Sequence, residues 1–131
     1  LEVQKEPSMS ADLKFSGGRN IAMKVPPHQH EATVKFYRDV VGLKQLEGYG
    51  DAVGFEFGSN HLWIDRVPGI SQAEIWLELA TNDTAKAAER LAAAGVARCD
   101  EIEKLPETMD AMWISSPSQI IHLVCNEGDS W

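Results

Sequence analysis

Cysteine is scarce in this chain. Cys99 and Cys125 are the only two, and they lie far apart in the sequence. That speaks against a disulfide framework and suits buried thiols in a reducing compartment. Positive charge is also short. Twelve Lys and Arg stand against 20 Asp and Glu, for a net charge of −8. So acidic a chain has no electrostatic footprint for nucleic acid or for an anionic membrane surface. No apolar run approaches the roughly 18–20 residues of a membrane span. There is no low-complexity segment, and the opening residues do not read as a secretory leader. A cytoplasmic location is therefore the expectation. With Leu first, residues 1–8 read as either an expression remnant or sequence carried from upstream, and Met9 as the expected native start.

What is present is ordinary in bulk and ordered in detail. A chain of 131 residues that is 44% hydrophobic and 24% charged is one globular domain with a core. One pattern occurs twice. Ile21, Met23 and Val25 alternate with Ala22 and Lys24 as in a half-buried strand. Pro26-Pro27 ends that strand, and a loop with His28 and His30 leads into a helical stretch over residues 30–41, stopped by Gly42. Phe36, Tyr37, Val40 and Val41 fall at helical spacing as its inner face. Residues 75–79 then repeat the strand. Asn82 or Asp83 offers a cap, and a second helix over residues 84–94 is stopped by Gly95. Its inner face reads Ala85, Ala88, Leu91 and Ala92.

Three short strands are expected after each helix: 43–48, 52–57 and 61–67, then 99–104, 111–115 and 119–125. The charges of Asp100, Glu101, Glu103 and Lys104 mark the first strand of the second trio as a solvated edge. The fold class is α+β: two βαβββ modules, at about 20–68 and 74–126, forming paired curled sheets around a cleft. Residues 1–19 form a loose arm with a short strand at 13–15, and 127–131 a tail.

With these words in order, the chain resembles the vicinal oxygen chelate superfamily of glyoxalases, bleomycin-resistance proteins and extradiol dioxygenases. The likeness rests on Val25-Pro26, on Phe36-Tyr37-Arg38-Asp39-Val40-Val41-Gly42-Leu43, on residues 88–96, and on Ser116-Pro117-Ser118 followed by Ile121-His122-Leu123-Val124. It covers about residues 20–125. The resemblance implies a homodimer. It also implies four cavity-facing positions that hold a divalent metal in metal-dependent members, and these fall at Asn20, Trp63, Trp76 and His122. Only His122 is a good ligand there. A displaced site would draw on His61 or Asp65, Glu74 or Glu78, and His122, with His122, Glu78 and Asp65 as its simplest set. A divalent metal is the cofactor only in that case; otherwise none is expected.

Strand alternation sends Asn20, Ala22 and Lys24 to the cavity, with His61, Trp63 and Asp65, with Glu74, Trp76, Glu78 and Ala80, and with Ile120, His122 and Val124. Trp63 and Trp76 then form a stacking or cation–π site, bordered by carboxylates that favour a planar or cationic organic ligand. The ligand-binding candidates are Trp63, Trp76, Lys24, Asn20, Glu78, His122 and Asp65. Lys24 is expected with its head in water or paired with Glu78. Three readings stay open: a metal-free protein that sequesters a small organic molecule, a metal-dependent lyase, isomerase or dioxygenase, and a non-catalytic interaction module whose cavity the two indoles fill.

Overall fold

The computed structural model describes residues 12–129. The expectations for residues 1–8 and for Met9 lie outside them. The chain divides into two compact units, Gly18–Leu77 and a second built from the residues up to Gly17 and those from Glu78.

In the first unit, β2 (Asn20–Val25) leads into α1 (Pro27–Lys35), β3 (Val53–Phe57), β4 (Asn60–Arg66) and the start of β5 (Glu74–Thr81). The strand order is β3-β4-β2-β5. β2 and β4 run parallel, with Ala22 opposite Trp63 and Lys24 opposite Asp65. Parallel neighbours need a long crossover, which α1 and β3 supply. β3 and β4 form an antiparallel hairpin, and Gly54 faces Trp63 across it. The start of β5 lies antiparallel on the other side of β2, with Trp76 opposite Ala22 and Glu74 opposite Lys24. One face of this sheet carries the core: Val25, Phe55, Leu62 and Ile64 pack with Val34 of α1. Each such buried side chain contributes about 1.5–3 kcal/mol.

Three expectations change in this unit. The helix begins at Pro27, not at residue 30, because proline suits the first helical position. His30 therefore lies within α1, and its Nε2 sits 3.1 Å from the Ile64 carbonyl oxygen. The helix then widens into a π turn over Phe36–Val41 before Gly42 closes it at φ +81°. Widening breaks the 3.6-residue register on which an inner face of Phe36, Tyr37, Val40 and Val41 depends. Only Tyr37 packs on the core, while Val40 is 76% exposed. Residues 43–48 form no strand. A single bridge joins Gln45 to Phe55.

The second unit takes the end of β5, α2 (Thr84–Ala93), β6 (Ala97–Arg98), β7 (Ala111–Ser115) and β8 (Ile121–Asn126). β8 lies between β5 and β7. The arm is not loose where it is described. β1 (Phe15–Gly17) pairs antiparallel with the end of β5, and Leu13 is buried. Asn82 fastens the arm: its Oδ1 accepts from the Lys14 backbone N–H, and its Nδ2 donates to the Asp12 carbonyl. Leu13, Ala87, Met112, Ile114 and Val124 form the core. Of the expected inner face of α2, Ala88 and Leu91 pack on this core, while Ala85 and Ala92 are exposed and Thr84 and Ala87 are buried in their place. No strand forms over residues 99–104: the two-residue β6 precedes them at Ala97–Arg98, and a 3₁₀ turn takes Asp100–Ile102. The cause is local. Asp100 Oδ1 accepts the Trp113 backbone N–H at 2.9 Å and so takes a donor that a longer ladder would need.

The N-terminus of α2 yields a direct test. Asp83 accepts the Lys86 N–H at 3.0 Å and leaves the helix in extended conformation, as an N-cap does. Asp83→Ala should lower the unfolding free energy by about 1 kcal/mol, and Asp83→Asn by much less. Urea denaturation of the three proteins measures both.

Candidate functional site

The face of the first sheet turned away from α1 holds most of the sequence-derived candidates. Because Val25, Leu62 and Ile64 point to the helix, alternation turns Asn20, Ala22, Lys24, His61, Trp63 and Asp65 the other way. Trp76 and Glu74 of β5, and Gly54 and Glu56 of β3, join them by register. The residues stand in rows across the strands. One row reads Gly54, Trp63, Ala22, Trp76. Beside it on one side lie Asp65, Lys24 and Glu74, and on the other Glu56, His61 and Asn20.

The tryptophans are held at their polar ends. Trp63 Nε1 donates to Asn20 Oδ1 at 2.7 Å, and Trp76 Nε1 donates to Glu74 Oε1 at 3.0 Å. Both rings are well covered, at 8% and 7% exposure. Tyr49 meets Trp63 edge to face at 4.9 Å, and His61 lies 6.1 Å from the same ring. Lys24 is 4% exposed, so its head does not lie in water. Its ammonium donates to Asp65 Oδ2 at 2.8 Å and stands 4.3 Å from the centre of the Trp76 ring. The parallel register sets Asp65 directly beside Lys24, so the pair forms between neighbouring strands.

Two contributors escape the sequence reading. Tyr49 sits between Gly48 and Gly50, both at positive φ, in the turn before β3. An aromatic residue flanked by two glycines is the signal that could have singled it out. Gly54 lies inside a strand, where glycine often marks a close approach. A Cβ there would meet the six-membered ring of Trp63 at 2.5 Å.

Glu78 and His122 belong to the second unit. Glu78 Oε2 accepts from the Cys125 thiol at 3.8 Å. Cys125 and Val124 are neighbours on β8 and so point to opposite faces. Val124 lies in the core with Ala87 of α2. His122, two residues before Val124, shares the helix-side face, and its Nδ1 is 2.9 Å from the Ile120 carbonyl oxygen. The expectation that His122 and Val124 face the cavity therefore fails. The eighth strand is one residue out of phase with the assumed alignment, as its shortened Pro117-Ser118 turn allows.

Comparison with known proteins supports the fold. No protein-family model matches the chain, and no curated protein matches it. Solved structures do. The Mn(II)-bound glyoxalase from Novosphingobium aromaticivorans shares 19% identity over 83% of this chain and 38% of its own, with a TM-score of 0.58. A glyoxalase/bleomycin resistance protein/dioxygenase superfamily member from Vibrio splendidus shares 14% over 82% of this chain and 97% of its own, TM-score 0.55. The 2,3-dioxygenase LapB from a Pseudomonas species shares 21% over 85% and 40%, TM-score 0.54. The chain thus spans well under half the length of the first and third and nearly all of the second. It has the vicinal oxygen chelate fold, and at these identities the likeness is one of fold.

A divalent ion does not fit the residues that stand at the expected ligand positions. Asn20 Oδ1 accepts an indole N–H, and Trp63 and Trp76 supply no ligand atom. Two members of the displaced set, Asp65 and Glu78, each already have a partner. Asp65 pairs with Lys24, Glu78 faces Cys125, and His122 is on the helix side of its strand. Among the described residues, no group of three or more His, Cys, Asp or Glu side chains is placed to hold a metal ion. No helix among them is long and apolar enough to cross a membrane.

Two tests follow. Gly54→Ala forces the Trp63 ring to shift and should cost about 1–3 kcal/mol, with a changed near-UV circular dichroism spectrum. Burial, then the Glu78 carboxylate, pushes the Cys125 thiol up to about 12 from 9.0. The folded state therefore keeps a proton that the unfolded chain gives up. Stability from this group is full below pH 9 and is lost as pH rises from 9 toward 12. The slope is at most about 1.4 kcal/mol per pH unit. Cys125→Ala should flatten the alkaline limb of a stability–pH curve relative to the parent chain.

Proposed function

We propose that this chain binds a small planar organic molecule on the face that carries Trp63 and Trp76, and that it sequesters the molecule without transforming it. The single observation behind this reading is the pair of indoles on one sheet face. Each is fixed at its Nε1, so that its ring is oriented before any ligand arrives. Fixing an aromatic surface in advance removes part of the ordering cost of binding. Apolar area with a few placed polar groups is the usual make-up of a small-molecule site, and Asn20, His61, Lys24 and Asp65 supply those groups here.

The cationic half of the sequence expectation is not carried forward. Asp65 is neutralised by Lys24, and Glu74 is engaged by the Trp76 N–H. A likeness to glyoxalases and dioxygenases of this fold does not by itself bring their chemistry, because one scaffold carries many functions.

Burial of both rings favours one competing reading, in which they serve only as packing. Tryptophan fluorescence separates the two. Saturable quenching by planar aromatic compounds is expected, weakened about 2- to 30-fold in Trp63→Leu and in Trp76→Leu, as befits a stacking contact of about 0.5–2 kcal/mol. A flat response across a broad panel, from protein with native circular dichroism, would leave the indoles as core and end the binding reading.

A further inference from the structure

Trp63 is large and lies on a sheet face, yet it is only 8% exposed. Part of its cover is Tyr49. The two ring centroids are 4.9 Å apart and the planes stand at 76°, so one ring turns its edge to the other. Tyr49 lies outside the strands. The bridge from Gln45 to Phe55 and the bond from the Leu46 N–H to the Gly54 carbonyl close the ladder, and Tyr49 sits beyond them in the turn before β3. Gly48 and Gly50 flank it at φ +89° and +63°. Two residues without side chains leave the backbone on both sides of Tyr49 permissive to rotation. The Ala52 N–H donates to the Tyr49 carbonyl across this turn at 3.2 Å.

Trp63 is held independently of that cover. Its Nε1 donates to Asn20 of β2, its six-membered ring fits over Gly54 of β3, and its backbone is laddered to both strands. An indole so anchored stays in place when the tyrosine swings out. The cover itself is 38% exposed. An edge-to-face contact of its kind shifts an equilibrium only about 2- to 10-fold. A flat ring stacked on the indole covers more of it than an edge does, so the exchange of one for the other gains buried apolar area.

We propose that Tyr49 is a gate on Trp63: its ring holds the place that a planar ligand takes, swings out on Gly48 and Gly50, and is replaced on the indole by the ligand's ring. The proposal rests on the binding reading above and supplies the step by which a buried indole becomes reachable. It fixes the sign of one substitution. A tyrosine that competes for the indole lowers the apparent affinity, because only the open fraction of the protein can bind. Removing it therefore tightens binding. A tyrosine that formed a wall of the binding site would have the opposite effect when removed.

The probe is 4-nitroaniline, an uncharged planar aromatic that quenches tryptophan. Fluorescence titration of the full chain should show binding about 2- to 10-fold tighter in Tyr49→Ala than in the parent. Tyr49→Phe, which keeps the ring, should bind as the parent does. In the parent, nuclear Overhauser contacts between the Tyr49 and Trp63 ring protons should disappear at saturation. Binding detectable in Tyr49→Ala alone would mark a gate that is firmly shut, and would support the proposal. Equal or weaker binding by Tyr49→Ala, or a Tyr49–Trp63 contact that survives saturation, would overturn it. If Trp63→Leu and Trp76→Leu lose binding while Tyr49→Ala keeps the parent affinity, the binding reading stands and the gate falls. If 4-nitroaniline binds neither the parent nor Tyr49→Ala, both fall.

Discussion

The parallel register of β2 against β4 is the constraint on which the rest of the candidate site depends. It joins residues some forty positions apart and leaves no freedom in who meets whom. Asn20 falls beside His61, Ala22 beside Trp63, and Lys24 beside Asp65. A slip of one residue would turn every one of these side chains to the helix and bring Ile21, Met23 and Val25 out. The core under α1 forbids that slip, because Val25, Leu62 and Ile64 have no other place to be buried. Apolar packing on one face thus fixes polar and aromatic geometry on the other.

That division explains what the sequence makes legible. The alternation of β2 and the glycine stops at Gly42 and Gly95 are local features, and the structure contains both helices and the strand before each. The grouping of Trp63, Trp76, Asn20, Lys24 and Asp65 is legible for the same reason, since period-two alternation needs no partner strand to be read. What alternation cannot supply is the neighbour. The partner of Lys24 depends on register between distant strands, and so the ion pair with Asp65 is not visible in the sequence. His122 fails differently. Its facing depends on a turn whose length differs by one residue from the pattern used to place it, and one residue inverts a strand. The π turn at Phe36–Val41 is a third kind of miss, because its residues look like any amphipathic helix end.

The proposed aromatic site differs in its physics from a metal-holding version of this fold. A metal centre needs several donors converging on one point, each kept free of other partners. Here the donors at the corresponding positions are spent on one another: an indole N–H takes Asn20, another takes Glu74, and an ammonium takes Asp65. The result is a surface of fixed rings rather than a convergent cage.

The Glu78–Cys125 contact bears on how the chain meets oxidants. Peroxides and disulfides react with thiolate, not thiol. With the Cys125 thiol pushed up to about 12, almost none of it is ionised near neutral pH. The carboxylate beside it repels the thiolate as it forms, and burial keeps out the reagent. Cys125 thereby packs like an apolar group, and both its burial and its raised pKa work against oxidation of the strand that carries it.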